Sequence, residues 1–297
     1  MSNEKQTGSK TGLVGVGLMG HGIALNILNK GWKLDFLNHA GNQPVDDLLE
    51  AGATSHSTLE SMAAACDTII LCVTGSPQVE SILLEEGALL STIKPASTLI
   101  DCSTAAPDST RQLAIEAEKA GVHFIDAPMT RTPKEAAVGR LNLLVGGDAA
   151  IVNRQLPLLQ TFAENITHVG PVGSGHAMKL IHNYVSLGFS AVLAEASATA
   201  SRAGINSTEL LHVLSTGGGK SVVLDRISPY LTDKDTSGLE FTLANSLKDI
   251  GYYTSMCNNI GATSNIAGAI KDTYKGAVDD GKGDQFVPIL IDLLANP

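Results

Sequence analysis

Up to about residue 170 the chain alternates short aliphatic, β-branched runs with longer stretches of helical spacing. The runs 11–16, 33–37, 68–73, 98–101 and 123–126 each predict a buried strand, and 143–147 and 167–169 predict later ones. Helices fit between them, for example 107–120, which stops at Gly121. Strand and helix in alternation predict a mostly parallel sheet covered on both faces. After Gly175 the strand pattern vanishes. Helical runs follow at 176–203, 207–215, 220–231, 239–259 and 263–280, with a short one at 285–295. The expected fold is a Rossmann-type α/β N-terminal domain over 11–172 and an all-α C-terminal domain over 173–297, which begins with a long interdomain helix. Residues 1–10 read as a flexible tail. The long helix is apolar on nearly every side, through Tyr184, Leu187, Phe189, Val192 and Leu193. Such a helix must be covered all round, which predicts packing by both domains and a homodimer or homotetramer.

Two segments carry chemistry. After the first strand comes Gly15-Val16-Gly17-Leu18-Met19-Gly20, which opens a helical run. This G-x-G-x-x-G stands where a dinucleotide site requires it. Gly15 permits the tight turn, Gly17 lets the pyrophosphate approach, and Gly20 lets helix and strand pack closely. The helix N-terminus offers free N–H groups and partial positive charge to the phosphates. Leu18 and Met19 lie inside that turn, and Val73, Thr74 and Thr104 stand at strand ends where a parallel sheet places its ligand crevice.

The second segment runs from Gly173-Ser174-Gly175 to Asn183, with Lys179 at its centre. On a helix Lys179 and Asn183 lie four apart and project from one face. Met178, Leu180 and Ile181 flank the lysine and call for burial. An ammonium at the mouth of an apolar site can protonate a substrate carbonyl, and the neutral amine can take a hydroxyl proton. Asn183 can hold the same substrate oxygen. A snorkelling lysine at a helix start is the plain alternative.

Composition narrows the possibilities. Net charge is −10 with no basic block, which argues against nucleic acid as the main partner. No apolar run reaches a membrane span, and the polar opening does not read as a signal peptide. Cys66, Cys72, Cys102 and Cys257 share no ligand-like spacing, so they read as reduced core residues of a cytoplasmic protein, with no metal expected.

Taken together, these motifs resemble the β-hydroxyacid dehydrogenases typified by 3-hydroxyisobutyrate dehydrogenase, within the 6-phosphogluconate dehydrogenase superfamily. The glycine turn, with Ala24, Asn26 and Gly31 beyond it, is similar to the family's cofactor signature. Asp101-Cys102-Ser103-Thr104 with Pro107 looks like its second cofactor-side loop. Asp126-Ala127-Pro128 opens its substrate motif, Gly173–Asn183 fits its catalytic motif, and Lys248-Asp249 sits where the family keeps a Lys-Asp pair. The resemblance implies Lys179 as acid/base, Asn183 as a substrate ligand, and Lys248 closing over cofactor and substrate. It implies a short anionic β-hydroxy acid, or a hydroxy sulfonate, interconverted with its semialdehyde by hydride transfer to or from NAD or NADP.

One loop departs from the family. Asp-Ala-Pro usually continues as Val-Ser-Gly-Gly, and here it continues as Met129-Thr130-Arg131-Thr132. Thr130 can replace the serine hydroxyl, and Arg131 puts a guanidinium where a glycine would stand. The sulfolactaldehyde reductases look closest here, since they carry Gly-Arg-Thr in this loop. Thr130, Arg131 and Thr132 are therefore expected to hold the substrate's anionic group, unless Arg131 points to solvent. For cofactor choice, the second strand ends at Asn38 and His39 without the acid that receives ribose hydroxyls in NAD-specific sites. That predicts use of both cofactors with a slight lean to NADP. Two other readings stay open: a non-catalytic dinucleotide-binding scaffold, and an imine-reducing relative.

Overall fold

The computed structural model describes residues 10–85 and 88–295, and packing divides these into two compact units between Lys179 and Leu180. The tail expected over 1–10 lies outside the described residues, except Lys10, which opens the first strand.

In the first unit the strands are β1 (Lys10–Val14), β2 (Lys33–Leu37), β3 (Thr54–His56), β4 (Thr68–Leu71) and β5 (Thr98–Asp101). They continue as β6 (His123–Asp126), β7 (Met129–Thr130), β8 (Leu141–Gly146) and β9 (Ala163–Gly170). Between them run α1 (Leu18–Asn29), α2 (Asp46–Glu50), α3 (Leu59–Ala65), α4 (Ser76–Leu84) and α5 (Leu89–Thr92). The later helices of this unit are α6 (Pro107–Lys119), α7 (Pro133–Ala137) and α8 (Ala149–Leu159).

These strands form one sheet in the order β3-β2-β1-β4-β5-β6-β8-β7, with β9 paired to β8. From β3 to β6 every pairing is parallel. β8 runs antiparallel to β6 and β7, and β9 runs parallel to β8. Alternate side chains enter opposite faces of the sheet. Leu13, Ile70, Ile100 and Ile125 join one buried cluster, while Val14, Ile69, Leu99 and Phe124 join the other. Both faces are covered by helices, as continuous apolar strands require.

Two strands escape the hydrophobic pattern. β3 is the polar Thr-Ser-His edge, largely exposed on both faces, so it shows no apolar alternation. β7 is two residues long and lies inside the Met129-Thr130 departure. β8 and β9 also begin earlier than their apolar runs, because each starts with residues held by ladder pairing.

α9 (Ser174–Arg202) is one continuous helix that starts in the first unit and ends in the second. The second unit adds α10 (Ser207–Thr216), α11 (Val222–Asp233), α12 (Leu243–Ile260), α13 (Asn265–Ala277) and α14 (Leu290–Ala295). Leu187, Tyr230, Leu243, Ile250, Tyr274 and Leu290 form its core. Tyr274, fully buried, donates its hydroxyl hydrogen to the Leu187 carbonyl at 2.9 Å, so its polar end is satisfied. The expected helix at 239–259 begins at Leu243, where Thr242 caps it by accepting from Asn245 N–H.

Candidate active site

The C-terminal ends of β1, β4, β5 and β6 carry the loops that the sequence marks as chemical. After β1, Gly15 takes φ +95°, a left-handed conformation that favours glycine. A Cβ on Gly20 would clash with the Gly15 carbonyl oxygen, so turn and helix touch backbone to backbone. A Cβ on Gly17 would meet nothing within 4 Å, which leaves the outer side of the turn open at the start of α1. Leu18 is exposed and Met19 half-buried beside it. This cradle fits a dinucleotide pyrophosphate, which needs close backbone approach and a helix N-terminus. Cys72 lies under the turn, and burial pushes its thiol up to about 12.

Asn38 and His39 are exposed at the end of β2. Asn42, which the sequence reading missed, joins this end to the glycine turn. Its amide donates to Leu37 O at 3.0 Å and its oxygen accepts from Val16 N–H at 3.3 Å. The loops after β4 and β5 are joined as well: Val73 N–H donates to Ser103 Oγ at 3.0 Å, with Thr74 exposed and Thr104 half-buried beyond them.

Asp126 ends β6 and receives the start of α9. Its Oδ1 accepts from Gly173 N–H and its Oδ2 from His176 N–H, both at 2.8 Å. A buried carboxylate thus serves as the cap of the helix that bears Lys179. Gly173 takes φ +88° to make the entry turn, and a Cβ on Gly175 would meet Asp126 Oδ2 at 2.8 Å. The Gly-Ser-Gly that precedes Lys179 therefore exists to bring α9 against β6. Asp126 is far from Lys179 in sequence, so nothing in the local pattern reveals the pairing.

Lys179 is half-buried one turn before Asn183 on α9. Of its three apolar neighbours only Leu180 is buried. Met178 is 40% and Ile181 43% exposed, against the burial their apolar side chains call for. The helix faces outward at those positions, and also at Val185 and Val192. Within the second unit, Asn183 is buried and donates to Asp249 Oδ2 at 2.6 Å, while its own oxygen lies 3.0 Å from His182 Nδ1. Lys248 Nζ lies 3.2 Å from Asp249 Oδ1.

The departing loop is tied to its own surroundings. Thr130 Oγ1 accepts from Asn142 at 3.2 Å. Thr132 caps α7 in a reciprocal box with Glu135, its N–H and its hydroxyl both donating to Glu135 Oε2. Arg131 keeps the left-handed backbone, φ +80°, expected of the glycine it replaces. Its guanidinium donates to Glu164 and to the Arg140 carbonyl, and this charge-assisted bond holds the Glu164 carboxyl below its usual range. Asn26, part of the cofactor signature, is a buried strut: its amide group donates to the Gly22, Ala136 and Ala137 carbonyls and binds α1 to α7.

A glycine turn between strand and helix, over parallel strand ends, defines a dinucleotide-binding α/β protein. Residues 10–170 match the model of the NAD binding domain of 6-phosphogluconate dehydrogenase, and 173–294 match that of the NAD-binding domain of NADP-dependent 3-hydroxyisobutyrate dehydrogenase. The chain belongs to the 3-hydroxyisobutyrate dehydrogenase family of NAD(P)-dependent β-hydroxyacid dehydrogenases and semialdehyde reductases. It is 33% identical to the 2-hydroxy-3-oxopropionate reductase of Escherichia coli over 218 residues, 73% of each chain. It is 28% identical to the 3-sulfolactaldehyde reductase of the same organism over 273 residues, 92% of this chain and 91% of the relative. The fold is that of the crystal structure of 3-hydroxyisobutyrate dehydrogenase from Salmonella typhimurium, with TM-score 0.84, 23% identity and coverage of 96% of this chain and 99% of that one. Among the described residues no helix is long and apolar enough to cross a membrane.

Proposed function

We propose that the protein interconverts a short anionic β-hydroxy acid, or hydroxy sulfonate, with its semialdehyde by hydride transfer, with Lys179 as general acid/base. The observation that carries this reading is the placement of Lys179 and Asn183 one turn apart on α9, with the Asn183 amide held by the buried Asp249. The nicotinamide supplies or accepts the hydride when bound. Gly15, Gly17, Leu18, Met19 and Gly20 would hold its pyrophosphate, with Val73, Thr74 and Thr104 on the neighbouring loops. In reduction Lys179 gives its proton to the carbonyl oxygen; in oxidation the neutral amine takes the hydroxyl proton. Asn183 donates to that oxygen and keeps it within reach of Nζ.

Thr130, Arg131 and Thr132 are the proposed seat of the anionic group, and Lys248 adds a second cation toward cofactor and substrate. The names of the two Escherichia coli relatives, acting on an oxopropionate and a sulfolactaldehyde, support a three-carbon anionic aldehyde. A cytoplasmic location and assembly as a homodimer or homotetramer belong to the same reading. The exposed Val185 and Val192 on α9 support a second subunit there. The test is a panel of short hydroxy acids, hydroxy sulfonates and their semialdehydes, each with NAD(H) and NADP(H), followed by nicotinamide absorbance. Turnover confined to anionic members supports the reading. No turnover with any member, alongside tight nucleotide binding, would favour a non-catalytic scaffold.

A further inference from the structure

Beneath the cofactor-side loops three ionisable side chains lie fully buried together: Asp101 at the end of β5, Asp126 at the end of β6, and His176 in the first turn of α9. β5 and β6 are register partners at Asp101 and Asp126, which puts both carboxylates at one sheet end. The imidazole of His176 stands between them, 3.8 Å from Asp101 Oδ2 and 3.8 Å from Asp126 Oδ2.

Each ring nitrogen meets a different element. Nε2 lies 3.1 Å from the Ser103 carbonyl oxygen, and because a carbonyl only accepts, Nε2 carries a proton. Nδ1 lies 2.8 Å from Thr110 Oγ1 on α6. The main-chain N–H of His176 is already given to Asp126. Ser103 in turn donates its N–H to Asp101 Oδ1 at 2.9 Å and accepts from Val73 N–H. A continuous hydrogen-bonded path therefore runs from the loop after β4, through the loop after β5, into α9 three residues before Lys179.

We propose that His176 is a positioning residue for the reaction. It fixes the first turn of α9, and with it Lys179, to the Ser103–Thr104 loop. Core filling alone does not account for it, since an apolar side chain of similar size would leave the Ser103 carbonyl without its imidazole donor and Asp101 Oδ2 without its imidazole neighbour. Catalytic groups lose rate steeply when displaced by a fraction of an ångström to an ångström, so the strut acts on turnover more than on binding. This inference rests on the reading of Lys179 as the acid/base.

The experiment compares His176→Leu, His176→Gln and Thr110→Val, using the best substrate of the panel, thermal unfolding, and a fluorescence titration with NADPH. Gln can still donate to the Ser103 carbonyl, and Leu cannot. His176→Leu should lower kcat by about tenfold or more, with the NADPH dissociation constant changed far less. His176→Gln should recover most of that loss. Thr110→Val keeps the core filled, removes the partner of Nδ1 and should lower kcat by about twofold to tenfold; it decides alone if the His176 variants do not fold. Parent-like kcat in Thr110→Val, or a Leu variant as active as the Gln variant, overturns the proposal. If Lys179→Ala also kept parent-like kcat, the fault would lie with the reading of Lys179 instead.

Discussion

Asn183 donates its amide hydrogen to Asp249 Oδ2 at 2.6 Å, and the other oxygen of the same carboxylate lies 3.2 Å from Lys248 Nζ. One side chain on α12, 1% exposed, thus holds two residues that the family resemblance marks for substrate or cofactor. Among the described residues Asp249 Oδ1 makes no hydrogen bond, so its contact with Lys248 is an ion pair without hydrogen-bond alignment. Removing the charge takes this counter-charge from Lys248 and leaves Asn183 a weaker, neutral acceptor, and loss of one partner of a buried pair is costly. Asp249→Asn should lower kcat/KM by about one to two powers of ten. Steady-state kinetics with NADPH at saturation checks this, and a parent-like value would mean that Asn183 and Lys248 are held by other contacts.

Burial raises the carboxyl of Asp101 above its ordinary value, with the neighbouring His176 opposing the shift. A raised folded-state value means that the folded protein binds the proton more tightly than the unfolded chain. The stability this contributes is fully present below the unfolded carboxylate value of about 3.9 and is lost as pH rises through the folded one. Asp101→Asn has no such proton. The stability of the parent relative to Asp101→Asn should therefore fall as pH rises from about 4 through the raised value. Urea unfolding at a series of pH values reads this directly; a difference that grows with pH would show that the carboxylate is favoured in place.

No carboxylate ends β2, where exposed Asn38 and His39 stand. A 2′-phosphate would meet no carboxylate at this strand end. Both cofactors should be used, with NADPH modestly ahead in kcat/KM. Asn38→Asp should shift the preference toward NADH by roughly tenfold, because a carboxylate accepts from the ribose hydroxyls and repels the phosphate. A parent enzyme that strongly prefers NADH would contradict the assignment of this strand end.

Arg131 is held by Glu164, a carboxylate of this chain that would compete with the substrate anion proposed to bind there. Arg131→Ala should raise KM for anionic substrates by about one to two powers of ten and leave neutral analogues little changed. Glu164→Gln releases the guanidinium and should lower that KM. If Arg131 acts only by shaping the loop, Glu164→Gln will raise KM for charged and neutral substrates alike.

The parts of this fold that were legible in the sequence are those written in local pattern. The apolar runs of β1, β4, β5 and β6 and the glycine turn before α1 each sit in a short window. β3 was illegible because an exposed edge strand has no apolar alternation to read. Asp126 shows a different limit. Its motif was visible, yet its partners Gly173 and His176 lie 47 and 50 residues away, and only the folded chain brings them together. Arg131 shows a third: the departure from glycine is plain in sequence, while the direction of its side chain depends on Glu164, which no local signal connects to it.

In the proposed mechanism Lys179 moves the proton. Lys179→Ala should lower kcat with the best substrate of the panel by roughly a hundredfold or more, while the NADPH dissociation constant, measured by fluorescence titration of the same variant, stays close to that of the parent. Near-normal turnover in Lys179→Ala would contradict the account, and so would a loss of activity fully explained by lost nucleotide binding.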